Sequence, residues 1–395
     1  MNINQLKEEF INRFGNSNED IRVFASPGRV NLIGEHIDYN GGNVLPAAIN
    51  MGTTIIARKR HDRKIVLEAT DLNDHVELSI DDIESYKKIS WGNYQAGIIS
   101  ELINDGEIIV GADLLYHDTI PHGCGLSSSA AIEVATALVF TTFSQEEKGE
   151  TKDVDMVRMA LIGQRAERNY IGVSCGIMDQ FASAMGKNDS AVLLNCSTLD
   201  YKYVPLNLKG YKIVIANTNK KRSLISSKYN ERCEECASAL KYLQEVFPTV
   251  KTLSEISPED FEKHKHVIKD DTCKKRAEHV IYEILRVNKS VEALNKGDVL
   301  EFGKLINESG DSLRYRYEVT GTELDALVDA ARKVNGCVGA RMTGAGFGGC
   351  TVNIVNSDSI DEFKEKVSLE YKEKIGYLPS FYITDASDGG REIRR

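Results

Sequence analysis

The sequence predicts an α+β protein of two domains with a ligand cleft between them. Three observations point there. The chain has 395 residues, and domains run to roughly 100–200 residues each. Its first half alternates β-patterned and helical runs, while its second half is mostly helical and closes on a strand–helix–strand unit. No flexible linker marks a border, so the join is placed near residues 195–205, giving domains 1–198 and 199–395.

The elements follow from local pattern. TTIIARKR (53–60), KIVLEAT (64–70) and HVELSI (75–80) read as short strands between turns rich in Asp, Asn and Arg. NYQAGIISELIN (93–104) spaces its apolar residues as a helix does, and ADLLYHD (112–118) reads as a strand. AAIEVATALVF (130–140) and residues 153–171 read as helices, and SAVLLNC (190–196) as a strand. YKYVPL (201–206) and YKIVIANT (211–218) add two strands. Helices then follow over about 226–246, 272–295, 298–313 and 322–334. CTVNIV (350–355), DEFKEKVSLEYK (361–372) and SFYIT (380–384) form the closing unit.

Composition narrows the function classes. With 42% hydrophobic and 27% charged residues the chain can bury a sizeable core. A net charge of −10 lacks the basic footprint of a nucleic-acid binder. An acidic protein that takes an anionic nucleotide must use local devices: backbone amides, helix ends, a metal or a few basic side chains. The opening MNINQLKEEFINRF has no apolar core of a secretory signal, and no run approaches the length of a membrane span. The expected location is the cytoplasm, with no membrane partner and no obligate protein partner evident. Eight cysteines are scattered, and only Cys233 and Cys236 form a C-x-x-C. They lie in a charged helical stretch without a second pair, so one face of a helix is expected rather than a zinc or redox site. Reduced thiols suit a cytoplasmic protein.

Four segments carry chemistry. In SPGRVNLIGEHIDYNGGNVLPAAI (26–49), an apolar stretch ends in clustered Glu35, His36, Asp38, Tyr39 and Asn40. Carboxylates accept hydrogen bonds from several hydroxyls, which suits a polyhydroxylated ligand, although a capped turn fits the same spacing. In PHGCGLSSSAAIEVATALVF (121–140), glycines run into three serines and an alanine-rich helix. Amides at a helix start favour phosphate, while a plain serine-capped helix is the alternative. The Walker pattern is absent. In GARMTGAGFGGCTVNIV (339–355), Gly344, Gly346 and Gly349 match G-x-G-x-x-G, but a strand follows where a dinucleotide fold needs a helix. A glycine-lined turn over a ligand, or a tight strand-to-strand crossing, fits better. In YIGVSCGIMDQFASAMG (170–186), Asp179 has few polar neighbours and reads as a helix cap or a buried catalytic group.

Together these segments resemble the GHMP small-molecule kinases, and within that superfamily the galactokinase family. GRVNLIGEHIDYNGG is similar to the sugar signature and GCGLSSSAAIEVA to the phosphate loop. CGIMDQFAS is similar to the catalytic-aspartate segment and GARMTGAGFGGC to the third motif. All stand in the family's order. The resemblance implies an N-terminal ribosomal-S5-like domain and a C-terminal ferredoxin-like domain, with the active site in the cleft. It implies ATP and Mg²⁺ as cofactors and small-molecule substrates. It gives Asp179 the role of base toward a sugar hydroxyl and Arg29 that of its cationic partner. Glu35, His36, Ile37, Asp38, Gly176 and Tyr229 fall at sugar-contacting positions. Gly123, Cys124, Gly125, Leu126, Ser127, Ser128 and Ser129 fall in the ATP loop, with Trp91 near adenine. Ser129 and Glu167 fall at the metal positions.

Two positions depart from the pattern. Ile37 stands where threonine is common, and isoleucine also occurs in related N-acetylgalactosamine kinases, so that substrate is an alternative. Cys124 is unusual in a loop that works through its amides. A non-catalytic sensor of galactose is the alternative of a different class. Such proteins lack a Ser-Ala pair in the loop, and here Ser129 and Ala130 are both present.

Overall fold

The computed structural model describes residues 1–72, 74–121, 123–220 and 225–394, and the backbone alone at 225–227. A six-stranded sheet holds the first half. Its order is Arg391–Glu392, Arg22–Asn31, Pro46–Arg60, Gly111–Asp118, Lys64–Ala69 and His75–Ser79. Pairing is antiparallel except between Lys64–Ala69 and Gly111–Asp118, which are parallel. A parallel pair needs a crossover, and the helix Gly92–Asn104 lies on it.

Alternation along the strands feeds two cores. Ile55 and Leu114 pack with Phe24, Ile98, Leu102 and Phe140 beneath the helices Gly92–Asn104 and Ser128–Glu147. Their neighbours Ile56 and Leu115 point to the opposite face, onto Leu6 and Phe10 of the helix Ile3–Phe14. That first helix has a full capping box between Asn2 and Gln5. It was not among the elements expected from the sequence.

The second half builds a four-stranded antiparallel sheet in the order Cys337–Thr343, Cys350–Asn356, Tyr211–Asn217, Ser380–Thr384. Helices Thr322–Ala331 and Ile360–Ile375 cover one face around Val214, Phe363 and Tyr371. The other face gives Ile213, Ile215, Val352 and Ile354 to the largest core. That core also takes Val30, Leu32, Ile33 and Leu45 from the first half, so the two halves share one apolar interior. A three-stranded sheet of Asn43–Val44, Ser190–Asn195 and Tyr201–Pro205 completes the fold.

Three details differ from the sequence reading. The segment around Arg29, to which the sequence reading assigned no element, is a strand that ends at Asn31. The chain end returns to the first sheet, pairing Phe24 with Glu392. The helix expected over 153–171 is an α-helix at Met156–Arg165 followed by a π-helical segment at Ala166–Ile171. The C-x-x-C cysteines lie on the helix Ile225–Gln244, with Cys236 buried and Cys233 half-buried.

One buried cation stitches the halves together. Arg341, on the strand Cys337–Thr343, is fully buried. Its Nε donates to the Leu32 carbonyl at 2.9 Å, and its Nη2 to the Asn31 carbonyl at 2.7 Å. Its Nη2 also meets Glu35 Oε1 at 3.4 Å. Removing one partner from such a group strands the other charge, at a cost of about 3–5 kcal/mol. Arg341→Leu should lower the unfolding free energy by about that amount in urea titrations. A loss below about 1 kcal/mol would show that the stitch contributes little.

Candidate active site

A cavity of about 540 Å³ opens between the two halves. Its walls include Arg29, Glu35, His36 and Asp38 from the first segment and Gly176 and Asp179 from the fourth. Ser129, Glu167 and Tyr229 also face it.

Arg29 reaches the cavity because its strand slips register between Pro27 and Arg29. Gly28 sits at the slip, where a Cβ would lie 2.5 Å from the Leu126 carbonyl. The missing side chain lets the serine-rich loop close on the strand, and Arg29 N donates to Leu126 O at 3.1 Å. The guanidinium is 3% exposed. Its Nε and Nη2 donate to Asp179 Oδ1 and Oδ2, each at 2.8 Å. Its Nη1 donates to the Gly125 carbonyl at 2.8 Å. Burial works against this charge, but Asp179 and Glu35 outweigh it and hold Arg29 above its usual range. Ser127, at φ 60°, adds a hydroxyl donor to Asp179 Oδ2 at 2.6 Å.

Glu35 is buried and accepts the Gly344 amide at 2.7 Å. Gly344 belongs to the third glycine segment, so the first and third segments meet here. Asp38 rests on Gly176, where a Cβ would fall 1.8 Å from its Oδ2. Burial, then the charges of Asp179 and Glu35, push the Asp38 carboxyl up to about 7.

His36 turns back at φ 61°. Its Nε2 meets the Ala345 carbonyl at 3.2 Å and therefore carries the proton. Its Nδ1 accepts from the Tyr39 hydroxyl at 2.9 Å, and Tyr39 meets Tyr317 at 2.7 Å. His279 is arranged alike, with Nε2 on the Glu35 carbonyl at 3.1 Å and Nδ1 on the Ser312 hydroxyl at 2.8 Å. Burial pushes His36 down to about 3 and His279 down to about 4, so both are neutral.

The phosphate-loop positions are placed unevenly. Ser129 faces the cavity, and Ser127 reaches Asp179. Gly125 and Leu126 touch Arg29 through their carbonyls. Gly123 is exposed, while the Cys124 and Leu126 side chains join the largest core. Ser128 donates to Asp118. Ile37 is fully buried, with its carbonyl accepting from Asn40 and Gly42. Trp91 packs edge-on against Tyr116 at 5.7 Å and is not a cavity wall. Sequence reasoning missed Arg341, His279 and Tyr317. Gly344 carried a signal, as part of a quoted motif. His279 is one of several polar residues in a helical stretch, directly after Glu278, and nothing in sequence joins it to Glu35.

Comparison with known proteins gives one consistent answer. A galactokinase galactose-binding signature matches residues 8–59, the N-terminal domain of GHMP kinases matches 93–187, and their C-terminal domain matches 290–373. The chain is 49% identical to a galactokinase of Clostridium tetani, covering 100% of this chain and 98% of that one. It is 50% identical to a galactokinase of Clostridium beijerinckii, covering 99% of each. A crystal structure of Lactococcus lactis galactokinase complexed with galactose superimposes with a TM-score of 0.93 at 42% identity, covering 99% of this chain and 100% of that one. A Methanococcus jannaschii mevalonate kinase shares the fold, with a TM-score of 0.65 at 20% identity and coverage of 94% and 100%.

The two neutral histidines set an acid limit on stability. Their folded values lie below the unfolded value of about 6.5. The unfolded chain therefore binds protons that the folded chain refuses, and stability is lost as pH falls from there toward 4 and 3. Asp38 opposes this, because its raised value makes the folded chain the tighter proton binder below about 7. His279→Gln should flatten the dependence of unfolding free energy on pH between about 6 and 4.5 by about 1.4 kcal/mol per unit. Urea titrations across that range measure it, and an unchanged slope would mean His279 is not held neutral.

Proposed function

The chain belongs to the galactokinase family of GHMP kinases, and from that premise we propose how its cavity carries the reaction. The protein is an ATP-dependent sugar kinase. It transfers the γ-phosphoryl group of ATP to the anomeric hydroxyl of D-galactose, giving ADP and α-D-galactose 1-phosphate.

Asp179 is the group that receives or orients the hydroxyl proton. A carboxylate offers about four lone-pair sites. Oδ2 takes two donors, Arg29 and Ser127, whereas Oδ1 takes Arg29 alone. Oδ1 thus keeps a site for the sugar. Arg29 orients the carboxylate through two hydrogen bonds while touching the phosphate loop at Gly125. This bridge is the single observation that carries the reading: one cation faces both the acceptor's base and the nucleotide's cradle. Phosphoryl transfer depends on such positioning and charge stabilisation.

Glu35, Asp38 and His36, with Tyr229 and the Gly176 backbone, form the sugar side. Ile37 contributes through its backbone. The loop Gly123–Ser129 holds the phosphates. In support, Gly123, Gly125 and Ser127 have left-handed φ, and the helix Ser128–Glu147 begins without a side-chain cap, which leaves its amides for an anion. For Trp91 as an adenine contact, the support is its partial exposure alone.

Ser129 and Glu167 would hold Mg²⁺. Both put hard oxygen donors into the same cavity, which fits a cation that keeps phosphate oxygens and waters. Among the described residues no group of three or more His, Cys, Asp or Glu forms a metal cage. When bound, the ion neutralises phosphate charge. The division at 198/199 belongs to the same reading, with Tyr229 and Gly344 entering the cavity from the second part. A cytoplasmic location belongs to the same reading, supported by thiols at Cys175, Cys196, Cys233, Cys236, Cys273 and Cys337 that are not in disulfides. Among the described residues no helix is long and apolar enough to cross a membrane.

ADP release with a panel of sugars tests the assignment. Galactose should be the best acceptor, and no ADP with galactose, Mg²⁺ and ATP would refute it. Asp179→Ala should cut turnover by about 10³-fold or more while calorimetry shows galactose binding kept within about threefold. Retained turnover would remove Asp179 from the chemistry. Gly176→Ala should displace Asp38 and raise the galactose KM by about tenfold with little change in kcat. An unchanged KM would take Asp38 off the sugar.

A further inference from the structure

Two phenols and a thiol stand behind the turn that carries His36, and their hydrogen bonds run in one direction. His36 Nε2 faces the Ala345 carbonyl at 3.2 Å, which can only accept, so the ring proton sits there. Nδ1 is then bare and accepts from the Tyr39 hydroxyl at 2.9 Å. Tyr39 has spent its proton, so Tyr317 donates in the contact between them at 2.7 Å. Tyr317 has spent its own in turn, which leaves the Cys236 thiol to donate to it at 3.0 Å. Burial holds both phenols well above their usual range, so both keep their protons.

The chain crosses from the second half of the molecule to the sugar turn. Cys236 lies on the helix Ile225–Gln244, and Tyr317 ends the π-helical segment Leu313–Tyr317. The Tyr317 ring packs on His36 at 4.9 Å and on His279 at 4.5 Å. Neither phenol is a wall of the cavity, whereas His36 and Ala345 both are. Phenylalanines would fill the same space without hydroxyls to satisfy. An imidazole can turn over about its bond to Cβ and can carry its proton on either nitrogen. The chain leaves one of these arrangements. That arrangement also ties the turn to the third glycine segment, whose Gly344 amide holds Glu35 at 2.7 Å.

We propose that Tyr39 and Tyr317 are positioning residues for the acceptor: their hydrogen-bond chain fixes His36 in one tautomer and one ring orientation at the cavity wall, and so sets the affinity for galactose. This rests on the reading of His36 as part of the sugar side. A sugar hydroxyl at that wall can accept from Nε2–H and donate to the Ala345 carbonyl. A ring turned the other way offers it neither in the same place.

Tyr39→Phe keeps the ring and removes the donor to His36. Its galactose Kd, read by calorimetry, should rise about tenfold, with kcat and the affinity for a non-hydrolysable ATP analogue within about threefold of the parent. Tyr317→Phe leaves that donor in place but frees it, and should raise the Kd about threefold. In protein carrying isotope-labelled histidine, the His36 Nδ1 resonance is assigned by its loss in His36→Asn. It should move toward an unbonded ring nitrogen in Tyr39→Phe. Added to His36→Asn, Tyr39→Phe should cause no further loss of galactose affinity, because its effect passes through the imidazole. A parental Kd or an unmoved Nδ1 resonance in Tyr39→Phe overturns the proposal. So does a fully additive loss in the double variant, which would mean that Tyr39 acts on the fold and not through His36. Should Tyr39→Phe fail to fold, Tyr317→Phe carries the same Kd, resonance and double-variant tests. His36→Asn alone separates the two readings. Unchanged galactose affinity there removes His36 from the sugar side, and this inference with it. Weakened binding there beside parental binding in Tyr39→Phe ends the inference alone.

Discussion

A buried guanidinium that must be fully paired is the constraint around which this molecule is organised. Arg29 sits at 3% exposure, where an unpaired charge would be costly. Asp179 takes two of its donors and the Gly125 carbonyl a third. Satisfying the arginine therefore brings the start of one helix, the loop before another and a bulged strand to one point. Residues 29, 125 and 179 are far apart in sequence, yet one charge fixes their separation. The register slip and the missing side chain at Gly28 are the local adjustments that allow it.

The rest of the cavity can be read as control of charge around that pair. Glu35 is answered by Arg341 and by the Gly344 amide. His36 and His279 are kept neutral by burial and have both ring nitrogens engaged. They add shape and directed hydrogen bonds without adding positive charge beside the cavity. Asp38 is pushed up to about 7 by burial and by its acidic neighbours. Asp179 is thus the carboxylate with a cation at bidentate distance and a face on the cavity. This sets Asp179 apart from the neighbouring Glu35 and Asp38 on the cavity wall.

Much of this was legible in the sequence because the chemistry is carried by short contiguous motifs. The polar turn at Glu35–Asn40 and the serine loop declare themselves by their residue types, whereas the Asp179 segment reads as well as a helix cap and is marked out by its family resemblance. The strands at 64–70 and 112–118 and the helices of the second half were readable from apolar spacing alone. What stayed hidden depends on long-range contact. Arg341 looks like an ordinary residue of a glycine-rich motif until it meets the Leu32 and Asn31 carbonyls. His279 is one polar residue in a helix until it meets Glu35. The strand Arg22–Asn31 was obscured because its proline and glycine, usually turn signals, serve a bulge here. The π-helical segment that carries Glu167 has no signature in apolar periodicity, since it differs from the preceding helix by hydrogen-bond register alone.

The central claim is that Arg29 works as a bidentate bridge and not merely as a positive charge. Arg29→Lys separates these, because lysine keeps the charge but cannot make the planar two-point contact. The decisive measurement is the single-turnover rate of this variant, taken beside its affinities for galactose and for a non-hydrolysable ATP analogue. The account predicts a rate about 10³-fold lower with both affinities within about tenfold of the parent. A rate within about tenfold of the parent would mean that charge alone suffices, and that the bridge is not what the site depends on.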